Sequence, residues 1–225
     1  MTENILSEIK QAVFPETQYF KEETAKIQIY LHHTAGSANP NAVFSGWNMN
    51  TERIATSFVI GGKPNKSNGY KDGIILQGFS SKYWAYHLGL KKEIFDKHNI
   101  PYQSLDKISI GIELCNWGWV TKTDRGWETY VGTLVPEDEV VEYSDGFKGR
   151  KHYHAYSDAQ IESTGKLLKF LGSKYDIPLA HYSNIFDIYL YALQGMSGIY
   201  THNSVRSDKS DIHPQLEMIA MLKSL

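Results

Sequence analysis

The chain has 225 residues, 41% of them hydrophobic, and a formal net charge of −2. This length suits one large domain or a domain with substantial insertions, and the hydrophobic content is that of an ordinary globular protein. The near-neutral charge excludes a global attraction to nucleic acid or to anionic membrane surfaces.

No apolar run approaches the length of a transmembrane helix. Residues 1–10 carry acids and no continuous apolar stretch, so they do not read as a secretion signal. The single cysteine, Cys115, excludes an intramolecular disulfide and is expected to be an inert core thiol. The 15 Tyr and 5 Trp are a large aromatic supply, usable for core filling or for stacking on sugar faces.

Residues 3–14 place Ile5, Ile9, Val13 and Phe14 at helical spacing. Residues 27–33 alternate as a strand does. Ile27, Ile29, Leu31 and His33 share an apolar face that should meet a core, while Gln28, Tyr30 and His32 share a polar face that could line a cleft. A short helix is expected over about 42–48 and a strand over 58–60. A turn over 69–73 and a strand over 74–77 then complete a hairpin. In residues 107–114, Ile108, Ile110, Ile112 and Leu114 form one strand face, and Lys107, Ser109, Gly111 and Glu113 form the other. Residues 119–154 are aromatic, charged and rich in turn signals, and are expected to be an inserted hairpin or long loop. Ser157 and Gln160 form a capping box for a helix whose buried stripe is Ile161, Leu168, Leu171 and Tyr175. Residues 183–194 are expected to form another short helix. Pro214 suits the first turn of a last helix, with Leu216, Ile219, Ala220 and Leu222 facing inward. The order predicts an α/β fold, a mixed central β-sheet flanked by helices, in one domain spanning 1–225.

Nine histidines occur. Most lone histidines are surface groups or hydrogen-bonded core groups, which is the expectation for His98, His152 and His154. His32 stands out because it ends a strand on the polar face. His202 stands out because it opens a short polar loop containing Lys209 and Asp211. Two His and one carboxylate can hold zinc and leave a fourth position open for water. On these local features alone, a metal site and ordinary hydrogen-bonded histidines both remain open.

Four segments, in chain order across 31–214, sharpen that reading. They are His32-His-Thr-Ala-Gly36, Tyr86-His87-Leu-Gly89, Ser109-Ile-Gly-Ile-Glu113-Leu and the stretch from His202 to Asp211. Together they resemble the zinc-dependent N-acetylmuramoyl-L-alanine amidases, a family shared with peptidoglycan recognition proteins. The resemblance implies an amidase-like α/β fold, with a zinc ion held by His32, His202 and Asp211. It implies catalytic roles for Glu113 and Lys209 and places Thr34 and His87 near the substrate. The family's Asp-Pro-Gly-Pro ending is Asp211-Ile-His-Pro here, so His213 competes with Asp211 as third ligand; the spacing to Lys209 favours Asp211. The branch that uses a tyrosine base would place it near Thr56, which cannot act as one, so Glu113 takes that role. His181 lies in a segment that mimics the closing motif, but no Lys-x-Asp follows it.

The chemistry is coherent. Zinc can lower the pKa of bound water from 15.7 to about 7. Glu113 can take that water's proton and return it to the leaving amine. Zinc and Lys209 can stabilise the oxyanion. The expected activity is hydrolysis of the amide between N-acetylmuramic acid and L-alanine in peptidoglycan. A phage lysin that reaches the wall by a separate route is expected, with a cytoplasmic muropeptide-recycling amidase as the alternative. A binding module without turnover predicts loss of a ligand or of the acid, and all are present. A zinc amidase with a non-wall substrate differs only in what it cleaves.

Overall fold

The computed structural model describes residues 3–64 and 70–225. The first elements are α1 (Glu3–Glu8), β1 (Ile9–Gln11), β2 (Gln28–His33), α2 (Pro40–Trp47), β3 (Phe58–Ile60) and β4 (Ile75–Gln77). Then come α3 (Lys92–Asp96), α4 (Leu105–Ile108) and β5 (Ser109–Leu114). Residues 120–154 supply β6 (Val120–Thr123), β7 (Gly126–Thr129), β8 (Leu134–Val135), β9 (Val140–Phe147) and β10 (Arg150–His154). The chain closes with α5 (Asp158–Tyr175), α6 (Leu190–Leu193), β11 (Gly198–Thr201) and α7 (Leu216–Lys223). None of the described helices is long and apolar enough to cross a membrane.

The expected mixed sheet is present, in the order β1-β4-β3-β5-β2-β11. Only the β3–β4 hairpin pair is antiparallel; the other four pairings are parallel. Parallel sheets need both faces covered, and every residue of β2 is buried. The face carrying Ile29, Leu31 and His33 turns toward the start of α5, where His33 Nδ1 lies 2.7 Å from Tyr156 Oη. The opposite face turns toward α6, where Gln28 Nε2 donates to the Ala192 and Met196 carbonyls at 3.0 and 2.9 Å. The polar face of β2 is therefore not an open cleft along its length; Gln28 and Tyr30 are fully buried, and the His32 end reaches a cavity.

α5 begins at the expected capping box. Ser157 Oγ accepts from Gln160 N–H, and Gln160 Oε1 accepts from Ser157 N–H. Its Ile161, Leu167, Leu168 and Leu171 join the main core with Ile29, Leu31, Ile110, Ile112 and Leu114.

Four expectations need correction. The helix expected over 3–14 stops at Glu8, because Ile9 pairs with Ile75 on the free edge of β4 and draws the chain into the sheet. Lys107 and Ile108 belong to α4 rather than to the strand. Residues 183–194 form a short 3₁₀ turn (Ser183–Phe186) and then α6, not one helix. The last helix starts at Leu216 because Gln215 is pinned beforehand: its side chain accepts from Tyr156 N–H (2.7 Å) and donates to Tyr156 C=O (3.0 Å). That phase turns Met218 and Leu222 inward and leaves Leu216 78% exposed. Of the turn expected at 69–73, Gly69 lies outside the described residues; Gly73 has φ +73°, which glycine tolerates.

Residues 120–154 form two small antiparallel sheets, β6-β7-β8 and the β9–β10 hairpin. They are joined to the main sheet at the end of β5. Asn116 donates from its side chain to the His154 and Ala155 carbonyls, at 2.9 and 3.1 Å.

Gly111 of β5 shows how tightly the sheet is packed near its functional end. A Cβ there would lie 2.7 Å from Thr56 Cγ2 and 3.1 Å from His87 Nδ1. Both neighbours are held, Thr56 by its hydrogen bond to the Phe58 carbonyl and His87 by bonds described below. Gly111→Ala should cost about 1–3 kcal/mol through overpacking, measured by denaturant unfolding. A variant as stable as the parent would mean that Thr56 and His87 yield freely.

Candidate metal centre and its cleft

β5, β2 and β11 run parallel and side by side. Glu113 pairs with His32 across one ladder, and Thr201 pairs with Leu31 across the other. His202 follows Thr201 directly, so Glu113, His32 and His202 form a row at the carboxyl ends of three adjacent strands. Ligands of open α/β sheets commonly bind outside this edge. A 3₁₀ turn over His202–Ser204 then folds the chain back. Asn203 holds the return segment by donating to the Asp211 and Ile212 carbonyls at 2.9 and 3.0 Å. Asp211 thereby arrives beside the two rings.

The distances are short. His32 Nδ1 and His202 Nδ1 lie 3.1 Å apart, and Asp211 Oδ2 is 3.3 Å from the first and 3.1 Å from the second. His32, His202 and Asp211 each offer a ligand atom within 4.8 Å of the others, and all three groups are buried. A cavity of about 350 Å³ opens on them, lined also by Thr34, Ala35, Glu113 and Lys209.

With each ring neutral, the surrounding hydrogen bonds place its one proton. Ser109 Oγ donates to the Leu105 carbonyl at 2.7 Å, so it can only accept from His87 Nε2 at 2.9 Å. His87 Nδ1 is then an acceptor and takes the proton of His32 Nε2, also at 2.9 Å. His202 Nε2 must donate to the Leu88 carbonyl at 3.0 Å. Both Nδ1 atoms are left with bare lone pairs, facing a carboxylate oxygen and each other. His32 Nδ1, His202 Nδ1 and Asp211 Oδ2 thus converge on one point, as the ligand atoms of a cation do. Second-sphere bonds of this kind, ring N–H to carbonyl or to another polar group, orient metal-binding imidazoles. The donor set therefore fits a divalent cation.

The electrostatics agree. Burial, with His202 nearby, lowers His32 to about 4 against the pull of Asp211, so the ring is neutral at pH 7. Burial and then His32 hold His87 well below its ordinary value. Burial alone would raise Asp211, but the His202 and His32 rings outweigh it and keep the carboxyl far below the usual range. Glu113 behaves in the opposite way. Burial and then the Asp211 charge push it well above the carboxylate range, and Lys209 pulls it back. Two carboxyls in one cleft with opposite shifts are an arrangement suited to acid–base work.

The other candidates fall around this centre. Lys209 is half-buried at the mouth, shared with a neighbouring cavity of about 460 Å³ lined by Ile54, Tyr86, Tyr102 and Arg206. Thr34 lines the cleft, but its hydroxyl already donates to the Asn116 carbonyl and accepts from Asn116 N–H. The His87 side chain is buried, with both nitrogens engaged by His32 and Ser109. His213 is fully buried away from the ligand atoms: Nε2 donates to the His154 carbonyl, Nδ1 accepts from Tyr143, and the ring stacks on Tyr156 at 4.4 Å. His181 is not part of the cluster. Cys115 is buried, and burial raises its thiol pKa. Sequence reasoning placed Ser109 on the Glu113 face of the strand without giving it a role; its position four residues before Glu113 on that face was the available signal. The link from Arg206 to the Gly89 carbonyl (3.0 Å), which braces the 202–211 loop, had no signal in the sequence.

A family model described as N-acetylmuramoyl-L-alanine amidase matches residues 25–214. Among solved structures, the chain is similar to PlyL, at 15% identity over 96% of each chain with a TM-score of 0.51. It is also similar to the PlyG catalytic domain, at 16% identity over 96% of this chain and 93% of that one, TM-score 0.52. A mutant endolysin from Bacillus subtilis matches at 15% identity over 96% of each chain, TM-score 0.50. At these identities the likeness is one of fold. No curated protein matches the chain.

Ser109→Ala removes the acceptor that fixes the His87 tautomer. Affinity for a divalent cation should fall by about 10-fold or more, read by competition with a chromophoric chelator. Unchanged affinity would show that the Ser109–His87–His32 chain does not govern the ligand atoms.

Proposed function

The chain belongs to the N-acetylmuramoyl-L-alanine amidase family and is a peptidoglycan amidase, and we propose that it works with zinc held by His32, His202 and Asp211. The carrying observation is the convergence of two histidine nitrogens and a carboxylate oxygen within 3.3 Å of one another, in one row with Glu113. Two histidines and a carboxylate leave a fourth position open, as hydrolytic zinc sites do.

Zinc, when bound, supplies a Lewis acid that polarises the scissile carbonyl and acidifies a water molecule at neutral pH. The chain's own groups do the rest. Glu113, on the strand beside His32, takes the water's proton and later returns it to the nitrogen of the departing L-alanine. Its raised pKa suits the second half of that task, and Lys209 helps to keep it ionised for the first. The Lys209 ammonium at the cleft mouth stabilises the negative oxygen of the tetrahedral intermediate. His87 and Ser109 hold the His32 ring with its Nδ1 turned inward. Thr34 and His87 border the bound substrate.

We read residues 1–225 as one amidase domain with residues 119–154 inserted into it. We also read the protein as a phage lysin that reaches the wall by a separate route. The aromatic content of residues 119–154 supports a large polymeric substrate over a small recycled fragment.

Incubation of the zinc-loaded protein with purified peptidoglycan should release stem peptides bearing a new N-terminal alanine, detected by mass spectrometry. Cleavage of a soluble muramyl-peptide alone would favour recycling, and cleavage of neither would overturn the amidase reading. Glu113→Gln should retain zinc yet lose about 10²–10⁴-fold in turnover; a near-normal rate would move the base elsewhere. A chelator should inactivate the enzyme while it stays folded, and added Zn²⁺ should restore it. Failure of that rescue would argue against a catalytic metal.

A further inference from the structure

We infer that the aromatic face formed by Trp119 and Tyr130, beside the catalytic cleft, binds the glycan strand of the substrate next to the sugar whose amide is cleaved. The inference rests on the peptidoglycan amidase reading and adds a saccharide subsite to it.

The face is continuous with the cleft. Tyr130 Oη donates to the Ala35 carbonyl at 3.0 Å, and Ala35 lines the same cavity as His32, Glu113 and Asp211. The Trp119 ring lies 6.4 Å from the Tyr130 ring, tilted by 45°. Arg150 places its guanidinium 4.2 Å from the centre of the Trp119 ring. Both rings are held from behind. Trp119 bridges through its backbone to the fully buried Tyr153, and Tyr130 is tied by its hydroxyl, which leaves the ring 57% exposed. Rigid aromatic groups with a polar rim lose little conformational entropy on binding. A pyranose ring presents flat C–H faces edged by hydroxyls, which complements the exposed Tyr130 plane beside a Trp119 ring that carries the Arg150 guanidinium over one face.

The reaction says why a saccharide belongs there. The scissile amide joins a sugar on one side to a peptide on the other, so a substrate seated at Glu113 runs off in two directions. Two surfaces leave the cleft. One is the cavity of about 460 Å³ reached past His202 and Lys209, which adds Glu52, Asp106 and Arg206 to its apolar walls. Those charges suit a peptide carrying carboxylates and amines. The other is the Trp119–Tyr130 face, where Arg150 is the charge in contact with the rings, and it suits an uncharged polymer of sugars.

The test compares two substrates within each variant: glycan strands bearing stem peptides, and a soluble N-acetylmuramoyl-peptide without neighbouring sugars. Because the readout is the ratio of the two kcat/KM values, partial loss of folded enzyme cancels. Trp119→Ala and Tyr130→Ala should each lower the strand-to-fragment ratio about tenfold, equivalent to about 1.4 kcal/mol, chiefly through KM. Trp119→Phe, which keeps an aromatic plane, should recover most of it. An unchanged ratio, or an equal loss on both substrates, would overturn the inference while leaving the amidase intact. A wild-type enzyme inactive on both would overturn the amidase reading and this one with it.

Discussion

Everything at this site depends on the parallel register of three neighbouring strands. Adjacent strands in a sheet lie about 4.8 Å apart, so side chains in one cross-strand row on one face are held at near-contact spacing by backbone hydrogen bonds alone. The β5–β2–β11 ladder puts Glu113, His32 and His202 in such a row. A slip of one residue would turn His32 to the opposite face. The apolar residues between these polar ones guard against that slip, since Ile29, Leu31, Ile110 and Ile112 would lose their core.

The alternation also gives two consecutive histidines opposite roles. His32 faces the cleft with a bare Nδ1. His33 faces inward, where Tyr156 donates its hydroxyl proton to it and accepts from His213 N–H. His213 in turn receives the hydroxyl of Tyr143 and donates to the His154 carbonyl. In that inner layer each acceptor has a matching donor, which is what a buried polar group requires. In the outer layer His32 Nδ1, His202 Nδ1 and Asp211 Oδ2 converge instead on one another. Nearly the same side-chain chemistry thus makes a finished structural network on one side of β2 and, on the other, a cluster that could hold a metal ion.

Much of the scaffold was legible because period-two alternation is a strong signal in short buried strands. β2, β3 and the body of β5 follow it, and the capping box marked the start of α5. The errors have a common physical origin, a long-range partner that overrode local spacing. Ile9 was drawn from a helix by the edge of β4, and Gln215 was pinned by Tyr156 so that α7 began late and left Leu216 exposed, while Leu222 and Ile219 kept their inward positions. The site was partly legible for a related reason. Residue types and strand-end positions can be read locally, but the pairing of Thr201 with Leu31, which brings His202 to His32, joins segments 170 residues apart. The parts that Ser109 and Tyr130 play were not legible, because they lie in single hydrogen bonds, to His87 and to Ala35, that leave no periodic trace.

Asn116 has a consequence for how this chain can vary. Its side chain stitches the point where the chain departs from β5 to the point where it returns before α5, through the His154 and Ala155 carbonyls. The His154 N–H bond to the Gly118 carbonyl at 2.8 Å closes the same neck. The segment between is closed at this neck and anchored again where Tyr130 meets Ala35 and Tyr143 meets His213. Between those anchors its outer surface can differ without disturbing strand order or core. The wall beside the cleft can therefore be refitted while the neck and the two phenols stay.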